Sequence, residues 1–111
     1  MVDKLSQAVI LNTKQRQFLK GLAHSMSPLV QIGKEGLTPR IIETVEKELG
    51  HHELIKIKIG NNSGLEKHST SEHIARETNS ALVQLIGKTI VLYKPNPKRD
   101  KEKRIRLPKK R

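Results

Sequence analysis

The chain has no cysteine and no tryptophan, and Phe18 and Tyr93 are its only phenylalanine and tyrosine. Without cysteine there can be no disulfide, iron–sulfur cluster, thiolate zinc site or cysteine nucleophile. With so few aromatic rings the chain cannot build the platform on which many single-strand binders stack bases. Any nucleic-acid contact must therefore lean on phosphate, sugar and shape. Apolar runs are equally scarce, and none approaches the ~20 residues needed to cross a bilayer. Val9-Ile10-Leu11 is too short for the core of a secretory signal, and Asp3 weakens its basic flank. A cytoplasmic location is the simplest expectation.

Basic residues are abundant. The 111 residues hold 22 Lys+Arg against 11 Asp+Glu, a formal charge of +11. Residues 95–111 carry nine basic and two acidic residues, hence +7, which leaves +4 for residues 1–94. Charge of this sign favours polyanionic partners and salt-sensitive binding, and says nothing about fold. The length fits one small domain with a tail. Residues 1–11 lack a clear period and are expected to be a flexible N-terminal segment, 12–94 the domain, and 95–111 a basic arm that settles on a polyanion.

Along the domain, Asn12 or Thr13 can cap a helix running to about Met26, with Phe18, Leu19, Leu22 and Ala23 as its apolar stripe. Ser27-Pro28 breaks it. Leu29 to Ile32 reads as a strand. Thr38-Pro39 opens a helix carrying Ile42, Val45 and Leu49, which Gly50 should end. Leu54 to Ile59 alternates isoleucine with Lys56 and Lys58, so one face should be buried and the other basic and wet. Leu65 to Asn79 is a weakly amphipathic helix. Leu82 to Ile86 and Thr89 to Lys94 pair through a Gly87-Lys88 turn. The order α-β-α-β-α-β-β predicts an α/β fold, two-layer and α+β-like. It has a four-stranded mixed sheet, a parallel strand–helix–strand unit, and its helices on one face.

The most informative feature is Gly33-Lys34-Glu35-Gly36, which joins a strand to a helix start. Paired glycines let the backbone turn tightly and approach a phosphate, and a helix start favours negative charge. KH domains use the same GxxG device on RNA. The plain alternative is an ordinary strand-to-helix turn.

Four stretches in order and with matching spacing carry a family resemblance. They are residues 15–24 (QRQFLKGLAH), the Gly33–Gly36 loop followed by Leu37-Thr38, residues 51–58 (HHELIKIK) and residues 86–94 (IGKTIVLYK). Together they resemble the YhbY proteins, the bacterial stand-alone form of the CRM (chloroplast RNA splicing and ribosome maturation) domain. The resemblance covers nearly all of residues 12–94, and residues 104–109 also look like that family's close. It implies a fold similar to the C-terminal domain of a bacterial translation initiation factor. It also implies RNA binding on precursors of the large ribosomal subunit, and RNA contact at Gly33, Lys34, Glu35 and Gly36. Glu35 departs from what a phosphate loop wants, unless it pairs with Lys34 or Arg40.

The expected RNA-binding surface adds Arg40, Lys14, Arg16, Lys20, Lys56, Lys58 and Lys88 to the loop, with Lys98, Arg99, Arg104 and Arg106 from the tail. The lysines of the strand read equally as a solvated face. Lys88-Thr89 is no Walker loop, because Leu82 stands where a glycine is needed and a strand follows. His51, His52, His68 and His73 read as solvated or hydrogen-bonded histidines, and no metal or other cofactor is expected. No nucleophile–base constellation stands out, so neither an enzyme nor a small-molecule substrate is expected. The expected partner is RNA, most naturally ribosomal RNA, bound by a monomer off the membrane. The alternatives are a general nucleic-acid binder driven by the tail and a protein-interaction module on ribosomal particles.

Overall fold

Element boundaries follow the capping chemistry that the sequence carries. The computed structural model describes residues 9–109. Within them lie α1 (Thr13–Ala23), β1 (Val30–Ile32), α2 (Pro39–His52), β2 (Leu54–Ile59), α3 (Lys67–Thr78), β3 (Ala81–Ile86) and β4 (Thr89–Tyr93). Asn12 and Gln15 cap α1 reciprocally. Asn12 Oδ1 accepts from the Gln15 N–H at 2.8 Å, and Gln15 Oε1 accepts from the Asn12 N–H at 3.1 Å. The helix ends at Ala23 rather than Met26. Its last turn tightens into three-residue bonds, His24 N to Gly21 O and Met26 N to Ala23 O, ahead of Pro28.

Thr38 caps α2 by accepting the Ile41 N–H at 3.2 Å, with Pro39 in the first turn. Gly50 does not end this helix. The reversal comes at Glu53, whose φ is 65°, and the Glu53 N–H closes on Leu49 O at 2.8 Å. In α3 the buried side chains are Thr70, Ser71, Ile74 and Thr78. Ser71 and Thr78 donate to the carbonyls of His68 and Ile74 at 2.9 and 2.8 Å. Small hydroxyl residues satisfied by their own helix can face a core, which is why α3 packs despite weak amphipathicity.

The sheet order is β1-β2-β4-β3, with β1 parallel to β2 and the other two pairings antiparallel. This is the expected mixed sheet. The layering differs from expectation, because helices cover both faces. On one face Ile55, Ile57, Ile59, Ile90 and Leu92 pack with Val45 and Leu49 of α2 and Ile74 of α3. Each fully buried aliphatic side chain there contributes about 1.5–3 kcal/mol. On the other face Leu54, Val83, Val91 and Tyr93 pack under Leu19 and Ala23 of α1, with Val9, Leu11, Ile105 and Leu107 beside them. Tyr93 is buried on the inner strand β4.

The buried stripe of α1 is Gln15, Leu19 and Ala23, one residue every fourth position. Phe18 and Leu22 are 39% and 42% exposed, so only half of the expected stripe faces the sheet. The second cluster also takes in chain outside the expected domain. Val9 and Leu11 contribute from a segment expected to be loose, while residues 1–8 of that segment lie outside the described residues.

Candidate nucleic-acid interface

β1 ends at Ile32, and the chain turns at once through Gly33–Gly36, where the Gly36 N–H donates to Gly33 O at 3.0 Å. The two glycines do different work. Gly36 has φ +75°, a left-handed conformation that a side chain makes costly. Gly33 has no such φ, and a Cβ built on it would meet nothing within 4 Å. The fold therefore does not require glycine at 33.

Gly60 closes the neighbouring side. Its N–H donates to Ile32 O at 2.8 Å, and an added Cβ would stand 2.7 Å from that carbonyl oxygen. This close approach sets the residue 60–62 turn beside the loop. Asn62 then joins Gly33, Lys34, Glu35, Gly36, Thr38, Arg40 and Ile41 around an open concavity of about 390 Å³. Lys88, at the β3–β4 turn, donates to Asn61 Oδ1 at 3.1 Å, and its carbonyl accepts the Ile59 N–H at 2.8 Å. The loop, Arg40 and Lys88 thus share one end of the sheet.

The helix start offers fewer amides than its position suggests. Pro39 has no N–H, Thr38 takes the Ile41 N–H, and the Ile42 N–H bonds to Thr38 O. Glu35 is exposed and forms no ion pair with Lys34 or Arg40.

The remaining cations of the body are graded by what they touch. Lys58 is exposed on β2. Lys56 is half-buried and donates to Met26 O at 2.9 Å, so it ends the α1 connection. Arg16 turns inward onto the carbonyls of Leu82 and Val83, where the β3–β4 register shifts. Lys20, Lys56, His24 and Ile86 line a groove of about 480 Å³ between α1 and the sheet. Lys14 is exposed at the start of α1. His68 bonds through Nδ1 to Glu66 at 2.9 Å, and His52 lies 3.4 Å from Glu48.

The model of the CRS1/YhbY (CRM) domain matches residues 11–94. The chain belongs to the CRM domain family. A Haemophilus influenzae protein named RNA-binding protein is 46% identical over 100 residues, covering 90% of this chain and 97% of that one. A Bacillus subtilis protein named "Probable RNA-binding protein YqeI" is 37% identical, covering 89% of this chain and all of its own. The solution structure of a hypothetical protein from Staphylococcus aureus superposes with a TM-score of 0.73 at 38% identity. It covers 89% of this chain and 100% of that one.

Beyond the matched CRM residues, the tail is not a free arm as far as residue 109. Its anchor is Glu53, which directly precedes β2. Glu53 is fully buried, and its carboxylate accepts the Asn96 N–H at 2.7 Å, the Ile105 N–H at 2.8 Å and Arg99 Nη1 at 3.1 Å. Arg104 Nε stands 4.0 Å away. Asn96 Nδ2 donates to Gly50 O at 2.8 Å, and Gln15 Nε2 donates to Pro108 O at 3.1 Å. Arg99 therefore fastens the tail to the CRM body, Arg104 lies near the same carboxylate without a hydrogen bond to it, and Lys98 and Arg106 are exposed. The sequence signal was an acid directly before the alternating Ile/Lys strand of a basic chain.

Proposed function

We propose that this CRM protein binds RNA through the Gly33–Gly36 loop and acts in the cytoplasm on precursors of the large ribosomal subunit, without catalysis. The observation that carries this reading is Gly33. Neither its φ nor any neighbouring atom calls for glycine, so the space it leaves open lies outside the protein. A backbone phosphate fits that space, with Lys34 and Arg40 beside it and Lys88 on the same end of the sheet. The RNA-binding names of the relatives support the partner class. The scarcity of aromatic rings supports recognition by shape rather than by stacked bases.

The test is sedimentation of lysate from cells that make the protein, with wild type compared with Gly33→Asp. A Cβ at 33 meets open space, so the variant should fold. Wild type should travel with large-subunit precursors, and the variant should stay at the top of the gradient. Co-sedimentation that survives nuclease treatment would point to a protein partner instead. Wild type left at the top at low salt would sink the ribosomal reading.

A further inference from the structure

Residues 95–109 form a second cationic surface, and its shape is set from inside. Glu53 draws Arg99 and the backbone at Asn96 and Ile105 inward, while Ile105 and Leu107 pack on the α1 side of the sheet. Lys98, Lys101, Lys103, Arg106 and Lys109 remain exposed, against Asp100 and Glu102. Lys101, Arg104, Ile105 and Arg106 line an open concavity of about 380 Å³. The bond from Gln15 to Pro108 brings this segment alongside the start of α1, the neighbourhood of Lys14.

This surface and the loop stand at opposite ends of β2. Glu53 precedes Leu54, the first residue of β2, whereas Ile32, which leads into the loop, pairs with Ile59, the last. Five residue steps at ~3.3 Å separate them by roughly 17 Å along the strand.

We propose that the strap held by Glu53 is a second, pre-organised phosphate-contacting surface, so that one RNA must bridge both ends of the sheet. The proposal rests on the reading that this protein binds RNA. It differs from a loose basic arm in two respects. Cations on a fixed backbone need less ordering when they bind. Their spacing from the loop also sets a minimum partner length. An A-form RNA duplex advances less per base pair than the roughly 3.4 Å of B-DNA, so the two contacts lie at least on the order of six base pairs apart.

The experiment titrates wild type, Lys34→Ala/Arg40→Ala and Lys101→Ala/Arg106→Ala with two probes over a range of salt. One is an RNA duplex of about 20 base pairs, which can bridge, and the other a single strand of roughly 2 nucleotides, which is too short to reach both surfaces. Each neutralised phosphate adds roughly 0.9 to the slope of log affinity against log salt. On the duplex each double variant should lose close to two from that slope, and the two losses should add. The affinity advantage of the duplex over the short strand should shrink in both variants.

Arg99→Ala removes the counter-charge of Glu53 and loosens the strap while leaving every exposed cation in place; it is compared once circular dichroism shows that the rest of the fold persists. Its duplex affinity should fall roughly three- to tenfold with the slope unchanged. A wild-type slope and length advantage in Lys101→Ala/Arg106→Ala would overturn the second contact. Unchanged duplex affinity in Arg99→Ala would overturn its pre-organisation. A wild type that binds neither probe at low salt would overturn the RNA reading itself, which separates the two failures.

Discussion

Replacing Glu53 by alanine tests the central packing argument most directly. The carboxylate is fully buried and accepts two backbone N–H groups and one guanidinium, at 2.7, 2.8 and 3.1 Å. Alanine leaves the Asn96 and Ile105 amides without their acceptor and Arg99 without its counter-charge. Each hydrogen bond to a charged group is worth about 1.5–3 kcal/mol, but such terms do not add within one network. Removing one partner of a buried ion pair costs about 3–5 kcal/mol as a whole. We expect Glu53→Ala to lose stability in that range, a large share of the roughly 5–15 kcal/mol that holds a domain of this kind together.

Backbone strain refines the expectation. Glu53 sits at φ 65°, a conformation that costs an L-residue about 1–2 kcal/mol and glycine much less. Glu53→Gly should therefore lose roughly 1 kcal/mol less than Glu53→Ala. Urea unfolding followed by circular dichroism measures both losses. Hydrogen exchange at Asn96 and Ile105 locates them, since both amides should lose protection. An alanine variant within about 1 kcal/mol of wild type, or one that keeps both amides protected, would refute the account of Glu53 as the anchor of the C-terminal segment.

The remaining expectations concern the loop end and the start of α3. Gly60→Ala should destabilise by about 1–3 kcal/mol in urea unfolding, because its Cβ would meet a backbone oxygen at 2.7 Å that cannot swing away. Gly36→Ala should cost about 1–2 kcal/mol through its left-handed φ, whereas Gly33→Ala should leave the unfolding midpoint unchanged. Glu66 caps α3 and accepts the Ser69 and His68 N–H groups, which hold its carboxyl down to about 2 from an ordinary 4.5. A lowered value means the charged form belongs to the folded helix. Its contribution is complete above pH 4.5 and fades as pH falls toward 2. NMR titration of Glu66 checks this, and titration near 4.5 would refute the cap.

Much of the architecture was legible because local chemistry and burial agree. Asn12 with Gln15, Thr38 with Pro39, and the alternation of Ile55, Ile57 and Ile59 each specify an element that the tertiary structure also needs. Gly36 was legible for the same reason, since it answers to its own φ, whereas Gly33 answers to nothing within the fold. What was not legible depends on partners distant in sequence. Glu53 ends α2 in place of Gly50 only because Asn96, Arg99 and Ile105 return to it. The side of the sheet that α1 takes is decided by Leu54, Val83, Val91 and Tyr93 on three different strands. Asn62 and Gly60 reach the loop through the parallel pairing of β1 with β2, which no local pattern displays.

The same distinction applies to the charge. A formal +11 suggests a protein coated in cations awaiting a polyanion. Several of those cations are instead structural. Arg16 terminates the carbonyls of Leu82 and Val83, Lys56 that of Met26, and Lys94 that of Thr78, while Arg99 neutralises Glu53. A small domain with few aromatic side chains has little core to spare, so long basic side chains close its loops and strand ends by hydrogen bonding to backbone oxygen. The charge available to a partner is consequently smaller than the count. It is also sorted in space, with Lys34, Arg40 and Lys88 at one end of the sheet and Lys101, Arg106 and Lys109 at the other. Under the proposed two-ended contact, binding would select for the shape of an RNA, the property left to a protein without a stacking platform.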